Sequence, residues 1–428
     1  MADNSAELET RDRSRFGWIV VVACMLSQMV GLGFSLNCFT LFLPGWTLEF
    51  HSRASELTTA ITVFSMGAAL VSPFIGVAVD RYPARWLFAG AMVGLAAFHF
   101  LMSMVGAAWQ LLGLYGLFLP LVAGFATAIP CQAIISRWFA GGPRLGLALG
   151  VGAMGLQLGG VVLPSAVADA LPVYGWRVVF QIFAAVTLFV MTPMMFLIMR
   201  EPARLRTATR DFAGHSIIGT TASVTVVPVT TRAVLVNANF WKLVAVFMPI
   251  QFAGLAVLLN LAPMITGRGF DLTAASSIVV AMSVTALCAK LVAGLLADRF
   301  GYRVPLAGTA MAVAGGLLAL SFSGSSFALF IFGALLIGLG GGVWPLVGSG
   351  VASEFGTAGF GRAFGLIVTI ITFSSFAPPI FAYTQERTGT YLTGLNSMAA
   401  LAVLGGLVAL TLRKRISDLP GDQELAGA

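Results

Sequence analysis

Twelve times along 428 residues, an apolar run long enough to cross a hydrocarbon layer about 30 Å thick is followed by a polar break. The runs occupy 17–43, 57–79, 87–106, 109–136, 145–171, 177–199, 240–265, 274–297, 304–323, 326–353, 363–384 and 390–412. A backbone in lipid has no water to bond, so each spanning segment must satisfy its own amides and carbonyls. At these lengths the solution is the α-helix. Composition agrees: 58% of the residues are hydrophobic and 10% charged, a balance that no water-soluble core of this size requires. The expected fold class is an all-α integral membrane protein with twelve transmembrane helices. The first run is too long for a signal peptide and lacks a small-residue cleavage site, so it is expected to remain as a helix. Cys24, Cys38, Cys131 and Cys288 fall inside apolar runs without CxxC spacing and read as packing residues rather than disulfides or metal ligands.

The longest polar interval divides the chain. Ser/Thr-rich residues 200–239 separate six runs from six, which gives an N-terminal tail 1–16, a bundle 17–199, a linker 200–239, a second bundle 240–412 and a C-terminal tail 413–428. Alternate turns differ in charge. Arg53, Arg177, Arg268 and Arg387 occupy one set, whereas the other set, with the linker and tails, holds every remaining Lys and Arg but one. The positive-inside rule then puts the tails and linker in the cytoplasm, in a plasma or inner membrane. The net charge of +7 is a topology signal and implies no nucleic-acid partner; the basic cluster Arg413, Lys414 and Arg415 anchors the last helix against the lipid bilayer.

The exception is Lys290, inside the eighth run and eight residues before Asp298, or about 12 Å along a helix from the charged turn. An ammonium at that depth costs about 2.5–3.5 kcal/mol on insertion scales, so a retained one reads as functional, facing a polar cavity or a partner. The bland alternatives are a lysine that snorkels to the interface and one paired with an acid on another helix. Every Asp and Glu lies at or beyond the end of a run, which leaves no buried acid for such a pair.

The charged turn after Lys290 occurs twice. GVAVDRYPAR at 76–85 and GLLADRFGYR at 294–303 put Asp80 and Asp298 at an offset of 218, and Arg144 after the fourth run and Arg362 after the tenth share that offset. The first and seventh runs both close on a proline, Pro44 and Pro263, ahead of the similar starts ELTTA and DLTAA. A duplication of six helices in which both copies keep the same sense implies two bundles related by a pseudo-two-fold axis along the membrane normal. Each acid can accept from exposed N–H groups at the positive end of a neighbouring helix, and the glycine one turn before it permits close packing. Asp80, Arg81, Arg85, Arg144, Asp298, Arg299, Arg303 and Arg362 are therefore the candidates for conformational gating. The plain alternative, an ordinary charged turn, does not explain two copies in register.

This G-x-x-x-D-R-x-G-x-R turn resembles the signature of the major facilitator superfamily, with Pro83 where the first copy would have glycine. The likeness spans all twelve runs and implies a carrier whose two bundles rock about a central site. FGWIVVV at 16–22, RWFAGGPRLGLALG at 137–150, GWR at 175–177 and APPIFAYTQERTGTY at 377–391 are similar to the monocarboxylate transporter and oxalate:formate antiporter group. That resemblance implies that Lys290 occupies the position of a cation that binds the substrate carboxylate. Three departures weigh against a carboxylate proton carrier and against a second substrate-binding cation. Ala286 stands where the proton-coupled members have an aspartate, Asn37 and Thr40 stand where they have a lysine late in the first helix, and 367–383 holds no cation.

Other polar residues inside the runs are candidate substrate ligands beside Lys290: Gln28 and Asn37 in the first, Gln157 in the fifth and Asn260 in the seventh. Intramembrane amides also bridge helices, at about 0.6–2 kcal/mol each. Trp344, beside Pro345 in GLGGGVWPL, is either an aromatic wall of the site or a packing residue, and the glycines let that helix pack closely or bend. His99 is a further candidate for coupling, because histidine titrates near neutral pH when unperturbed. No nucleophile–base–acid set, metal-ligand cluster or Walker-type loop is present, so no enzyme activity, cofactor or metal is expected. The reading is a monomeric secondary transporter for a small organic anion, a monocarboxylate, working by proton symport or by anion exchange. With no acid at mid-membrane, Lys290 is itself the candidate proton carrier. The alternatives are a permease or efflux carrier for a neutral or amphipathic compound, with Lys290 as a gate, and a non-transporting receptor of the same fold.

Overall fold

The computed structural model describes residues 2–202, 230–266, 272–324 and 326–412, with no strand among them. Most of the expected linker (203–229), Arg268 in its turn, and the C-terminal tail with Arg413, Lys414 and Arg415 lie outside the described residues. Eleven stretches are long and apolar enough to cross a membrane. The longest, 54 residues from Leu145 to Ile198, breaks at Gly175, whose φ of 73° and ψ of 161° suit glycine alone, so it crosses twice and twelve helices result.

In chain order they are α1 (2–50), α2 (Ala54–Arg81), α3 (Ala84–Ser103), α4 (Ala108–Phe139), α5 (145–174), α6 (176–198), α7 (Ala238–Thr266), α8 (Leu272–Phe300), α9 (Arg303–Phe322), α10 (Phe327–Phe355), α11 (Phe360–Thr388) and α12 (Leu392–Leu410). A short helix, Thr231–Val236, forms inside the expected linker, its N-terminus capped by the Thr230 hydroxyl, which accepts from the Ala233 N–H at 3.2 Å.

Several helices leave regular α geometry inside the membrane. α1 passes through π-helix at Met29–Asn37, α4 through π-helix at Leu114–Phe118, and α10 through a 3₁₀ turn at Leu339–Gly342. Such breaks survive in lipid where neighbouring helices cover the freed backbone groups. The expectation that the first and seventh helices end at Pro44 and Pro263 is corrected: both prolines lie inside helices, which run on to Phe50 and Thr266. A proline deletes one donor and leaves the later bonds intact, and in a bilayer continuing the helix costs less than exposing further backbone.

The helix ends are tied in two clusters. At one end Arg177 donates to the carbonyls of Ser103 and Val105 at 2.9 and 3.0 Å and pairs with Glu49, whose carboxylate also accepts from Trp176 Nε1 at 2.8 Å. At the other end Arg137 donates to Glu201 and to the Val79 carbonyl, both at 2.7 Å, and Glu201 accepts from the Ala84 N–H at 3.2 Å. These contacts bring the chain back across after Gly175. Each half has its own apolar core: one centred on Phe34, Phe42, Trp46 and Phe180, the other on Phe247, Phe330, Phe360 and Phe364. Cys24, Cys38 and Cys131 are buried in the first. The packing expectation fails for Cys288, which is exposed, because two residues on a helix place it about 200° around α8 from Lys290.

Candidate functional site

A cavity of about 620 Å³ lies between the halves, walled by α1, α2, α4 and α5 on one side and by α7, α8, α10 and α11 on the other. Gln28, Asn37, Gln157, Lys290 and Trp344 all line it. Four of them gather around one stretch of α5, residues 152–157. α5 is interrupted at Ala153 and Met154, between the segments Leu145–Gly152 and Gly155 onward, so carbonyls at the break lose their helical partners. Gln28 Nε2 donates to the Gly152 carbonyl at 2.6 Å, Asn37 Nδ2 to the Leu156 carbonyl at 3.1 Å, and Lys290 Nζ to the Ala153 carbonyl at 2.7 Å and to Gln157 Oε1 at 2.5 Å. Lys290 is 3% exposed, and neither of its acceptors carries a charge.

Lys290 reaches α5 because α8 packs tightly on it. A Cβ on Gly150 would lie 2.5 Å from the Lys290 carbonyl, so only glycine permits this approach. The glycines of α10 do the same on another side of α8: a Cβ on Gly338 would meet the Met282 carbonyl at 2.9 Å, and one on Gly341 would meet Ala286 Cβ at 2.7 Å. Trp344 forms a wall of the cavity and packs edge-on against Phe247 at 5.0 Å.

Two other sequence candidates stand elsewhere. Asn260 donates to the carbonyls of Ala256 at 2.9 Å and Pro378 at 3.3 Å, which braces α7 against α11 and leaves it out of the cavity lining. His99 is fully buried among Phe34, Phe98 and Phe180, 3.5 Å from Ser35 Oγ, and does not line the cavity either. Sequence reasoning passed over Gln132 and Gln251, which do line it. Gln132 is 2% exposed and its Oε1 has no hydrogen-bond partner. Both are amides inside apolar runs, the same signal that singled out Gln28.

Beneath the cavity the two charged turns form a symmetric seam. Asp298 of α8 accepts from the N–H groups of Gly146 and Leu147 at 2.5 and 2.8 Å, and Asp80 of α2 accepts from those of Gly361 and Arg362 at 2.8 and 2.9 Å. Each acid thus caps the N-terminus of a helix in the opposite bundle, at the second and third helical positions, where a local Ser or Asp would otherwise serve. Close backbone contact makes this possible: Gly294 abuts Gly146, and Gly76 abuts Gly361. The arginines lie around these contacts. Arg81, Arg85, Arg144 and Arg299 are exposed at the helix ends, while Arg303 and Arg362 are partly covered. Arg85 lies over the Trp86 and Phe196 rings at 5.7 and 5.9 Å.

The seam also corrects the proposed repeat register. Gly361 plays the part of Gly146, and Gly359 caps α11 where Arg144 caps α5, an offset of 215 rather than 218. Arg144 and Arg362 are therefore not equivalent, and Leu147 is the counterpart of Arg362. The three-residue change arises in the preceding helices: α4 has 32 residues and contains π-helix, whereas α10 has 29 and contains a 3₁₀ turn. A π turn holds more residues than an α turn and a 3₁₀ turn fewer, so similar depth is crossed with different counts.

Two six-helix bundles thus flank a central cavity and cap each other's helices beneath it, the architecture of a membrane transporter. Residues 24–379 match the family model of the Major Facilitator Superfamily, and the chain belongs to that family of transporters. It is 25% identical to human monocarboxylate transporter 11 over 424 residues, covering 94% of this chain and 84% of that one. It is 27% identical to the agnestins efflux protein AgnL12 of Paecilomyces divaricatus over 408 residues, covering 92% and 87%. A match to the MFS-type transporter YcxA of Bacillus subtilis, at 24% identity, spans 46% of this chain and 48% of that protein. Among solved structures, the human organic anion transporter MFSD10 superposes with a TM-score of 0.68 over 93% of this chain and 99% of its own, at 14% identity. The proton:xylose symporter XylE also gives 0.68, over 94% and 97%, at 14% identity.

Proposed function

We propose that the chain is a secondary carrier that moves a small organic anion, a monocarboxylate, across the membrane, with Lys290 meeting the carboxylate. Lys290 carries this reading: among the described residues it is the one charged side chain lining the cavity. Two of the three donors of its ammonium are taken, both by neutral groups. A buried cation without a counter-ion attracts an anion strongly, because little water screens the pair. The likeness to monocarboxylate transporter 11 supports the same substrate class. Gln28, Asn37, Gln157 and Trp344 shape the site around that pair, and Asp80 and Asp298 with their neighbouring arginines hold one end state. The carrier works as a monomer in the plasma membrane with both termini in the cytoplasm.

The test is saturable uptake into proteoliposomes. Lys290→Gln is expected to lose it by roughly tenfold or more, the scale of one charged hydrogen bond, while Lys290→Arg keeps part of it. Unchanged melting of the purified variant separates this loss from misfolding. Wild-type uptake in Lys290→Gln would sink the reading.

For coupling, Lys290 serves as the proton carrier. The empty carrier returns with a neutral amine and the loaded one crosses as an ammonium–carboxylate pair, because a bare ammonium is costly to bury. Vesicles without internal substrate should then accumulate a monocarboxylate on an inward proton gradient and acidify inside. Uptake that requires internal anion and ignores the gradient assigns exchange instead.

A second reading, a carrier for a neutral amphipathic compound with Lys290 as a gate, draws on the apolar character of the other walls, Leu32, Phe64, Leu258 and Met282 among them, and on the likeness to the agnestins efflux protein. Uptake indifferent to Lys290→Gln together with uptake of a neutral compound would favour it.

A further inference from the structure

Resting on the anion reading of Lys290, we infer that the substrate is an elongated amphipathic monoanion: one carboxylate carried on an apolar body up to about 12 Å long. The cavity is far larger than a small carboxylate needs, about 620 Å³, against roughly 30 Å³ for one water molecule. Its charge is confined to one end. Along α8 the lining runs from Lys290 through Ala286 to Met282, and along α2 from Ser72 through Ala68 to Phe64. Both columns rise eight residues above the level of the cation, which is about 12 Å of helix.

Four of the uncharged polar side chains in the walls already spend a donor within the protein, while Gln132, Gln251 and Thr127 also line the cavity. Gln28 donates to the Gly152 carbonyl at the break in α5, Asn37 to the Leu156 carbonyl just beyond it, Ser72 to the Ala68 carbonyl at 2.6 Å, and Ser283 to the Val279 carbonyl at 2.8 Å. A carboxylate seated on Lys290 therefore points the rest of its molecule along an apolar channel, where burial of each methylene is favourable.

The pseudo-symmetry supplies the limit of one charge. Lys290 precedes Asp298 by eight residues, and Ser72 precedes Asp80 by eight. The structure treats them as counterparts: Gly150 packs on the Lys290 carbonyl as Gly365 packs on that of Ser72, with added Cβ atoms at 2.5 and 2.7 Å. A carrier of symmetric dianions would place a second cation at this mirrored position. Here it holds a serine whose hydroxyl is turned back to its own helix.

Ligand-induced thermal stabilisation of the purified full chain tests this, with acetate, butanoate, octanoate, octanedioate and octanamide as probes. Apparent affinity is expected to rise about three- to fourfold per methylene from acetate upward. Octanedioate and octanamide should each bind at least about tenfold more weakly than octanoate, since one brings a second charge into an apolar wall and the other has none for Lys290. Ala68→Phe, which fills the channel above the cation, should weaken octanoate several-fold and leave acetate unchanged. Acetate binding as tightly as octanoate would overturn the inference and leave the anion reading standing. Octanamide binding as tightly as octanoate would overturn the anion reading itself. Octanedioate matching octanoate, or stabilisation by none of the series, would also overturn the inference.

Discussion

Asn260 and Asn37 are the same residue type at similar depth in equivalent helices, yet one braces two helices and the other serves a carbonyl at the cavity. Asn260→Ala is expected to lower stability by about 0.6–2 kcal/mol, the range for a hydrogen bond between membrane helices, read as a lower melting temperature. Binding of octanoate in the cavity should change less than twofold; a larger loss would place Asn260 in the site. The contrast marks how far the site was legible. Lys290, Gln28, Asn37 and Gln157 stand out in the sequence because each is polar in an apolar run. Their meeting at one place was not readable, since it depends on the break at Ala153 and Met154, where GVGAMG carries no proline and reads as continuous helix. Gln132 carried the same signal as Gln28 and was overlooked.

At the scale of helices, the seam works by capping between bundles, and the two acids cap different helices. Asp80→Asn and Asp298→Asn keep one acceptor oxygen and lose the charge that favours the helix N-terminus. That is worth up to about 2 kcal/mol where partly buried, or a shift of conformer populations by about 5–30-fold. Transport rate should therefore change far more than substrate affinity in either variant, measured by uptake beside equilibrium binding. An affinity that falls in step with rate would argue that these acids contact the substrate. The two effects should be nearly additive, because the sites share no partner. The G-x-x-x-D-R signature exposed both acids in the sequence, and the spacing of Gly76 and Gly294 exposed the close packing. The register of their acceptors was hidden, because π and 3₁₀ stretches in α4 and α10 leave no residue-level sign and shift the repeat by three.

For the molecule as a whole, the two bundles meet beneath the cavity through apolar side chains such as Ile75, Val79 and Phe364 and, at the seam itself, through backbone amides bonded to carboxylates. When the seam parts, the N–H groups of Gly146, Leu147, Gly361 and Arg362 and both carboxylates lose each other as partners. Water must replace every one of those bonds, since an orphaned amide or carboxylate costs several times what a solvated one does. Opening is thus a wetting step, and its equilibrium depends on the activity of water. An osmolyte excluded from protein surfaces, such as sucrose, is expected to favour the joined state and slow turnover as its concentration rises. The dependence should weaken in the Asp80→Asn, Asp298→Asn double variant, whose seam has less charge to hydrate. A turnover rate indifferent to osmotic pressure would mean that the bundles part without admitting solvent between them.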